Sequence, residues 1–166
     1  CDLKQSGSAC LTGCLESNGL GIAMTMLNQA IALAALAHEG QTDKAGAPYI
    51  LHSLRVMLRC QGETAQICAV LHDVLEDTFW TLEDLRDKGY SEEVLTTLAY
   101  LTRRSEESYE QYIDRLVDHP LACQIKLADL ADNQDLSRLT EITEADWQRL
   151  KRYKAAEKRI KAHLHG

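Results

Sequence analysis

From Thr25 onward, apolar residues recur at intervals of three and four, the period of helices packed on one side. Leu27, Ala30, Ile31, Ala34 and Ala37 share one face of a first helix, which Thr25 can cap and Gly40 can close. The polar stretch 41–48, punctuated by Gly46 and Pro48, reads as a loop. A second helix is predicted after Pro48, carrying Ile50, Leu54, Val56, Met57 and Leu58. A third, over about residues 64–76, is apolar on most faces (Ile67, Ala69, Val70, Leu71, Val74, Leu75), which predicts a place at the centre of a bundle. Thr81 with Asp84 predicts a capping box, and Ser91 caps a helix bearing Val94, Leu95, Leu98 and Leu101. Two more helices are predicted over 108–117 and 121–131, and Thr143 opens a long charged one ending near His165. No segment alternates as a strand would, and no internal repeat is present. The expected fold class is all-α, a single-domain helical bundle over residues 24–166.

Residues 1–23 break this pattern. They are rich in small residues and hold no sustained apolar period, and read as an N-terminal extension or leader, or as an arm for a partner subunit. Composition agrees with helices elsewhere: apolar residues are 45% of the chain but aromatics only 5%, so Leu, Ala, Ile and Val must build the core. With 18 basic and 25 acidic side chains the formal charge is −7, and no basic cluster stands out, which argues against a nucleic-acid or anionic-membrane partner. A small phosphorylated substrate is not excluded, because a bound divalent cation inverts the local field. Cys60, Cys68 and Cys123 lie in apolar helical contexts and read as small buried hydrophobes; Cys10 and Cys14 lack the companions of a zinc site. No run of about 18 apolar residues exists to span a membrane. A reducing, cytoplasmic compartment is expected.

Chemistry enters where ionisable residues interrupt the apolar pattern. His72, Asp73 and Glu76 fall within the third predicted helix and Asp77 at its end, with His72–Glu76 and Asp73–Asp77 each at i, i+4. Burying three carboxylates with an imidazole is costly unless a cation binds them, and Asp oxygens with neutral imidazoles are natural ligands of a divalent metal. Asp129 and Asn133 repeat the interruption at i, i+4, with Lys126 one turn earlier. His52 follows the apolar run that begins the second helix. Taken alone, His52 reads as a hydrogen-bonded core residue and Asp129 as either structural or functional. Together His52, His72, Asp73 and Asp129 supply two nitrogen and two oxygen ligands from three helices, leaving coordination positions open. His38 reads as a helix C-terminal histidine facing the dipole, and His163 and His165 as solvated.

The order His52, His72-Asp73, Asp129 resembles that of the HD-domain phosphohydrolases. The stretches Ala37–Gln41, Lys44–His52, Leu71–Thr78 and Lys126–Asp129 with Asn133 resemble more closely the hydrolase module of RelA/SpoT homologues and the small alarmone hydrolases, over about residues 26–140. The resemblance implies an HD-type helical bundle holding Mn²⁺ on His52, His72, Asp73 and Asp129, and removal of the 3′-pyrophosphate of (p)ppGpp. Glu76 and Asp77 would orient the attacking water and carry its proton, Lys44 would contact substrate phosphate, and Asn133 would hydrogen-bond near the metal or ribose. Lys126 is either a phosphate contact or a neutralising partner for the carboxylates.

The chain also departs from the family. Asp43 stands where the family has an arginine packed on the guanine base, and Leu130 and Asp132 stand where it has arginine and histidine. These departures leave the ligands untouched and put the base of the substrate in question. The synthetase and regulatory domains of long members have no counterpart in 166 residues, so hydrolysis without synthesis is expected. Two other functions compete: a nucleoside monophosphate phosphohydrolase of the HD type, and a non-catalytic nucleotide-binding module. Oligomeric state, a homo-oligomer included, is not legible.

Overall fold

The computed structural model describes residues 24–139 and 141–165, and they fold as helices: α1 (Met26–Ala37), α2 (Ile50–Leu58), α3 (Glu63–Leu71), α4 (Val74–Asp77), α5 (Leu82–Asp87), α6 (Glu92–Leu101), α7 (Tyr109–Leu116), α8 (Pro120–Asn133) and α9 (Glu144–His165). Among the described residues there is no strand; one isolated bridge pairs Thr42 with Pro48 across the loop after α1. The expected all-α class is therefore observed. The reading of residues 1–23, Cys10 and Cys14 among them, lies outside the described residues.

Local signals put the helices where the pattern predicted them. The Thr25 hydroxyl accepts from Asn28 N–H, Thr81 and Asp84 form a reciprocal capping box, and Ser108 forms another with Gln111. Gly40 follows α1 with φ of 78°, a left-handed conformation that releases the chain into the loop. Pro120 sits in the first turn of α8, where its missing N–H has no partner to lose.

α3 occupies the centre, packed against α1, α2, α6 and α8. Cys68, Ala69, Val70 and Leu71 are fully buried, so apolarity on most of its faces is satisfied on most of its faces. Burying a side chain such as Leu71 stabilises by roughly 1.5–3 kcal/mol. Cys60, Cys68 and Cys123 are buried free thiols, as expected, and burial pushes that of Cys68 up to about 12. No helix among the described residues is long and apolar enough to cross a membrane.

One expectation is corrected. The predicted third helix, 64–76, is not continuous: α3 stops at Leu71 and α4 starts at Val74, with His72 and Asp73 in the turn between them. The Ala69 carbonyl accepts from the His72 ring at 2.8 Å, in competition with the Asp73 N–H that a continuous helix would send it. The Asp73 carboxylate is drawn aside by Tyr49 Oη, which donates to it at 2.6 Å. A second correction follows. Glu76 and Asp77 are exposed, so the turn does not bury three carboxylates with the imidazole.

Candidate metal centre

Two helices and a turn converge on one buried spot. His52 stands in the first turn of α2, His72 and Asp73 in the α3–α4 turn, and Asp129 in the last part of α8. His52, His72 and Asp129 are buried and Asp73 is half-buried. Ligand atoms of His52, His72 and Asp73 all lie within 4.8 Å of one another. His52 Nε2 is 3.2 Å from Asp129 Oδ1 and 3.7 Å from Asp73 Oδ2; His72 Nε2 is 3.6 Å and 2.9 Å from the same two atoms.

The hydrogen bonds behind these groups show which atoms face inward. His72 Nδ1 meets a carbonyl oxygen, which can only accept, so Nδ1 carries a hydrogen, and in the neutral ring Nε2 presents its lone pair. That Nε2 is buried and makes no hydrogen bond. A buried nitrogen lone pair with two carboxylate oxygens beside it is what a divalent cation takes, and the residues present therefore fit one.

Electrostatics describe the same spot from the proton's side. Burial opposes charging His72, but Asp73 and Asp129 outweigh it and raise the ring to about 10. His52 also moves up, against its burial, through Asp129 and Asp132. Burial works against ionising Asp73, yet His72 pulls it down to about 2. Without a cation, ring protons neutralise these carboxylates.

The flanking residues take distinct places. Lys126 Nζ lies 2.7 Å from Asp129 Oδ2, and Asn133 Nδ2 donates to Asp129 Oδ1. Of the two options for Lys126, the geometry is that of the neutralising partner, and Asp129 sits well below the usual carboxylate range, against its burial. Glu76 lines a cleft of about 500 Å³ that opens on His52, Asp73 and Asp129. Its Oε2 accepts from Arg103 N–H, and partial desolvation at the cleft wall together with Asp73 raises its pKa. Asp77 is held through its carbonyl by Gln41 Nε2 and is not among the residues lining the cleft. Lys44, Arg138 and Arg152 bring positive charge to the cleft wall, Lys44 from the exposed loop.

Some residues carry weight that sequence reasoning did not assign. Asp132, noted only as a departure, is 1% exposed and accepts from Arg55, Arg59 and Arg138 while facing His52 Nδ1 at 2.8 Å. Asp43 does not stand as an isolated negative charge. Its Oδ1 accepts from the Ala45 and Ala47 amides, and its Oδ2 lies 3.8 Å from Arg55 and 3.6 Å from Arg138. Tyr49 holds Asp73, a role that the tyrosine before an apolar run did not announce. His38 caps α1 as expected, but its ring is buried against Tyr49 with Nδ1 2.8 Å from Gln41, so it serves packing beside the turn rather than the dipole. His163 is exposed, as expected, and the His165 side chain lies outside the described residues.

Known proteins resemble this chain. The chain is 33% identical over 108 residues to the guanosine-3′,5′-bis(diphosphate) 3′-pyrophosphohydrolase of Aquifex aeolicus, covering 58% of this chain and 15% of the relative. It is 34% identical over 122 residues to the bifunctional (p)ppGpp synthase/hydrolase SpoT of Escherichia coli, covering 64% and 17%. The chain thus spans about a sixth of the length of these curated relatives. A solved structure of a metazoan SpoT orthologue that hydrolyses ppGpp superposes with a TM-score of 0.69 at 25% identity, covering 87% of this chain and 88% of that one. No family model matches the chain.

Proposed function

We propose that this chain, similar in sequence and fold to the hydrolase module of the RelA/SpoT homologues, is a metal-dependent pyrophosphohydrolase that removes the 3′-pyrophosphate of (p)ppGpp. The observation that carries the reading is His72 Nε2, buried and without a hydrogen bond, gathered with His52 and Asp73 within 4.8 Å. Asp129 completes the set as the fourth ligand, its Oδ1 3.2 Å from His52 Nε2. A divalent cation bound there, with Mn²⁺ the first to test, supplies Lewis acidity toward a phosphoryl oxygen and lowers the pKa of a water.

The protein's own groups do the rest. Glu76 reaches the cleft beside Asp73 with a raised pKa, so its carboxylate takes a proton from the attacking water more readily than an ordinary one. Asp77, exposed one turn after Asp73 and also raised by partial desolvation and by Asp73, relays that proton to solvent. Lys44 on the loop meets substrate phosphate as a point charge, and Asn133 keeps Asp129 oriented while presenting its amide at the cleft. Lys126 stays with Asp129 rather than with substrate. Asp43 is spent on the loop amides and on Arg55 and Arg138, which lowers the charge it presents to a polyanion.

Residues 24–166 act as the catalytic domain in this reading, and 1–23 as an extension. The buried free thiols support a reducing, cytoplasmic setting. The test is a Mn²⁺-supplemented screen of nucleotide polyphosphates with product identification. Pyrophosphate release from a 3′-pyrophosphorylated guanosine nucleotide is expected. Orthophosphate release from nucleoside monophosphates instead would favour the phosphomonoesterase, and no turnover would favour a binding module.

A further inference from the structure

We infer that Asp132 is a positioning residue for the metal centre: its carboxylate fixes the proton of His52 on Nδ1 and so aims the Nε2 lone pair at Asp129 and Asp73. The inference rests on the reading of His52 as a ligand and adds to it a residue that nothing in the ligand set requires.

Geometry carries the claim. Asp132 Oδ2 lies 2.8 Å from His52 Nδ1, with both side chains almost wholly buried. A carboxylate can only accept, so the ring nitrogen facing it must bear the hydrogen. The same ring then shows its other nitrogen to Asp129 Oδ1 at 3.2 Å. For a metal-binding imidazole the identity of the protonated nitrogen is set by the partner on the far side. His72 meets the requirement with a backbone carbonyl, at 2.8 Å from Ala69 O. His52, in the first turn of α2, draws on Asp132 from α8, eighty positions away in sequence.

Asp132 is itself held rigidly. Its Oδ1 accepts from Arg55 Nε at 2.9 Å and from Arg59 at 2.9 Å, and its Oδ2 from Arg55 at 3.1 Å and Arg138 at 3.2 Å. These bonds, with His52, keep the carboxylate ionised against its burial. A neutral carboxylic acid there could donate to the ring and reverse the proton's place. The guanidinium groups prevent that outcome and also fix the carboxylate plane, which one hydrogen bond to His52 would leave free to rotate.

Asp132→Asn is the discriminating variant. Each carboxylate oxygen faces guanidinium donors, so the single carbonyl oxygen of Asn serves only one of the two places, and the negative charge that holds the His52 proton on Nδ1 is gone. Two readouts are taken on the full chain: Mn²⁺ affinity by titration calorimetry, and ¹⁵N NMR of the His52 ring without metal at alkaline pH, where the ring is neutral. The wild type is expected to carry its hydrogen on Nδ1. Asp132→Asn is expected to let the Nε2-protonated ring appear beside the Nδ1-protonated one and to weaken Mn²⁺ binding by about 10- to 100-fold with the helical circular dichroism unchanged. A wild-type ring protonated on Nε2 overturns the inference, whether or not the variant folds. So does an Asp132→Asn protein with wild-type affinity and tautomer. His52→Ala is run beside them: its loss of Mn²⁺ binding is expected, and unchanged affinity there would remove the ligand reading and this inference with it.

Discussion

Lys126 Nζ lies 2.7 Å from Asp129 Oδ2, while Asp129 Oδ1 faces His52 Nε2 at 3.2 Å. One carboxylate is therefore divided between a permanent cation and the centre where a divalent one fits. Lys126 keeps Asp129 ionised in a place where burial alone would protonate it, and the ammonium in turn is raised well above its usual range, against burial, by Asp129.

Replacing Lys126 by Met leaves Asp129 buried without its fixed partner. Removal of one member of a buried ion pair costs about 3–5 kcal/mol. Urea denaturation of metal-free Lys126→Met should show a loss of that order, and Mn²⁺ should restore part of it by taking over the carboxylate. Wild-type stability in the metal-free variant would mean that Lys126 is not the neutralising partner.

Asp73→Ala removes the oxygen 2.9 Å from His72 Nε2 and 3.7 Å from His52 Nε2. The purified variant should contain no stoichiometric Mn²⁺ by elemental analysis and should show no turnover. Full activity in the metal-free variant would sink the ligand assignment.

Glu76→Gln keeps the shape and the hydrogen bond from Arg103 N–H but removes the proton acceptor. Metal content should stay at the wild-type level while kcat falls by about 10²- to 10⁴-fold. An unchanged rate would take Glu76 out of the mechanism.

The raised histidine also sets a pH dependence. His72 moves from 6.5 to about 10 in the metal-free protein: burial opposes the shift, and Asp73 and Asp129 drive it. A group raised on folding stabilises fully below its unfolded value and loses that contribution as pH climbs toward the folded one. Metal-free protein should therefore lose stability from pH 6.5 to about 10. Asp73, lowered to about 2 through His72 despite its burial, adds the opposite limb: its contribution is present above 3.8 and fades as pH falls through about 2. Mn²⁺ needs neutral rings, so its affinity should rise across the alkaline interval. Urea midpoints at several pH values, with and without Mn²⁺, check both signs; an alkaline-stable metal-free protein would contradict the charged ring.

Much of this was legible in residue order because helices advertise themselves locally. Thr25, Thr81 and Ser91 cap where their hydroxyls can reach an N–H three residues on, and that needs no tertiary knowledge. The break at His72–Asp73 was not legible, since Val70-Leu71 before it and Val74-Leu75 after it keep a helical apolar rhythm across the turn. What interrupts the helix is the bond of His72 to Ala69 and the pull of Tyr49 on Asp73, and Tyr49 is distant in sequence. Asp132 was hidden for a related reason. Its partners Arg55 and Arg59 precede it by 77 and 73 positions. A usable signal did exist: Arg55 and Asp132 each interrupt an apolar stretch, and unlike charges buried on two helices tend to meet. The surroundings of Asp43 were hidden too, because its identity was visible while the Ala45 and Ala47 amides and Arg138 around it were not.

The most direct measurement is product analysis of the full chain incubated with Mn²⁺ and ppGpp, resolving nucleotides by anion exchange and phosphate species by ³¹P NMR. Equal amounts of GDP and pyrophosphate, absent when Mn²⁺ is chelated, are the expected result. Orthophosphate as the released product, or intact ppGpp with Mn²⁺ bound, would contradict a pyrophosphohydrolase centred on His52, His72, Asp73 and Asp129.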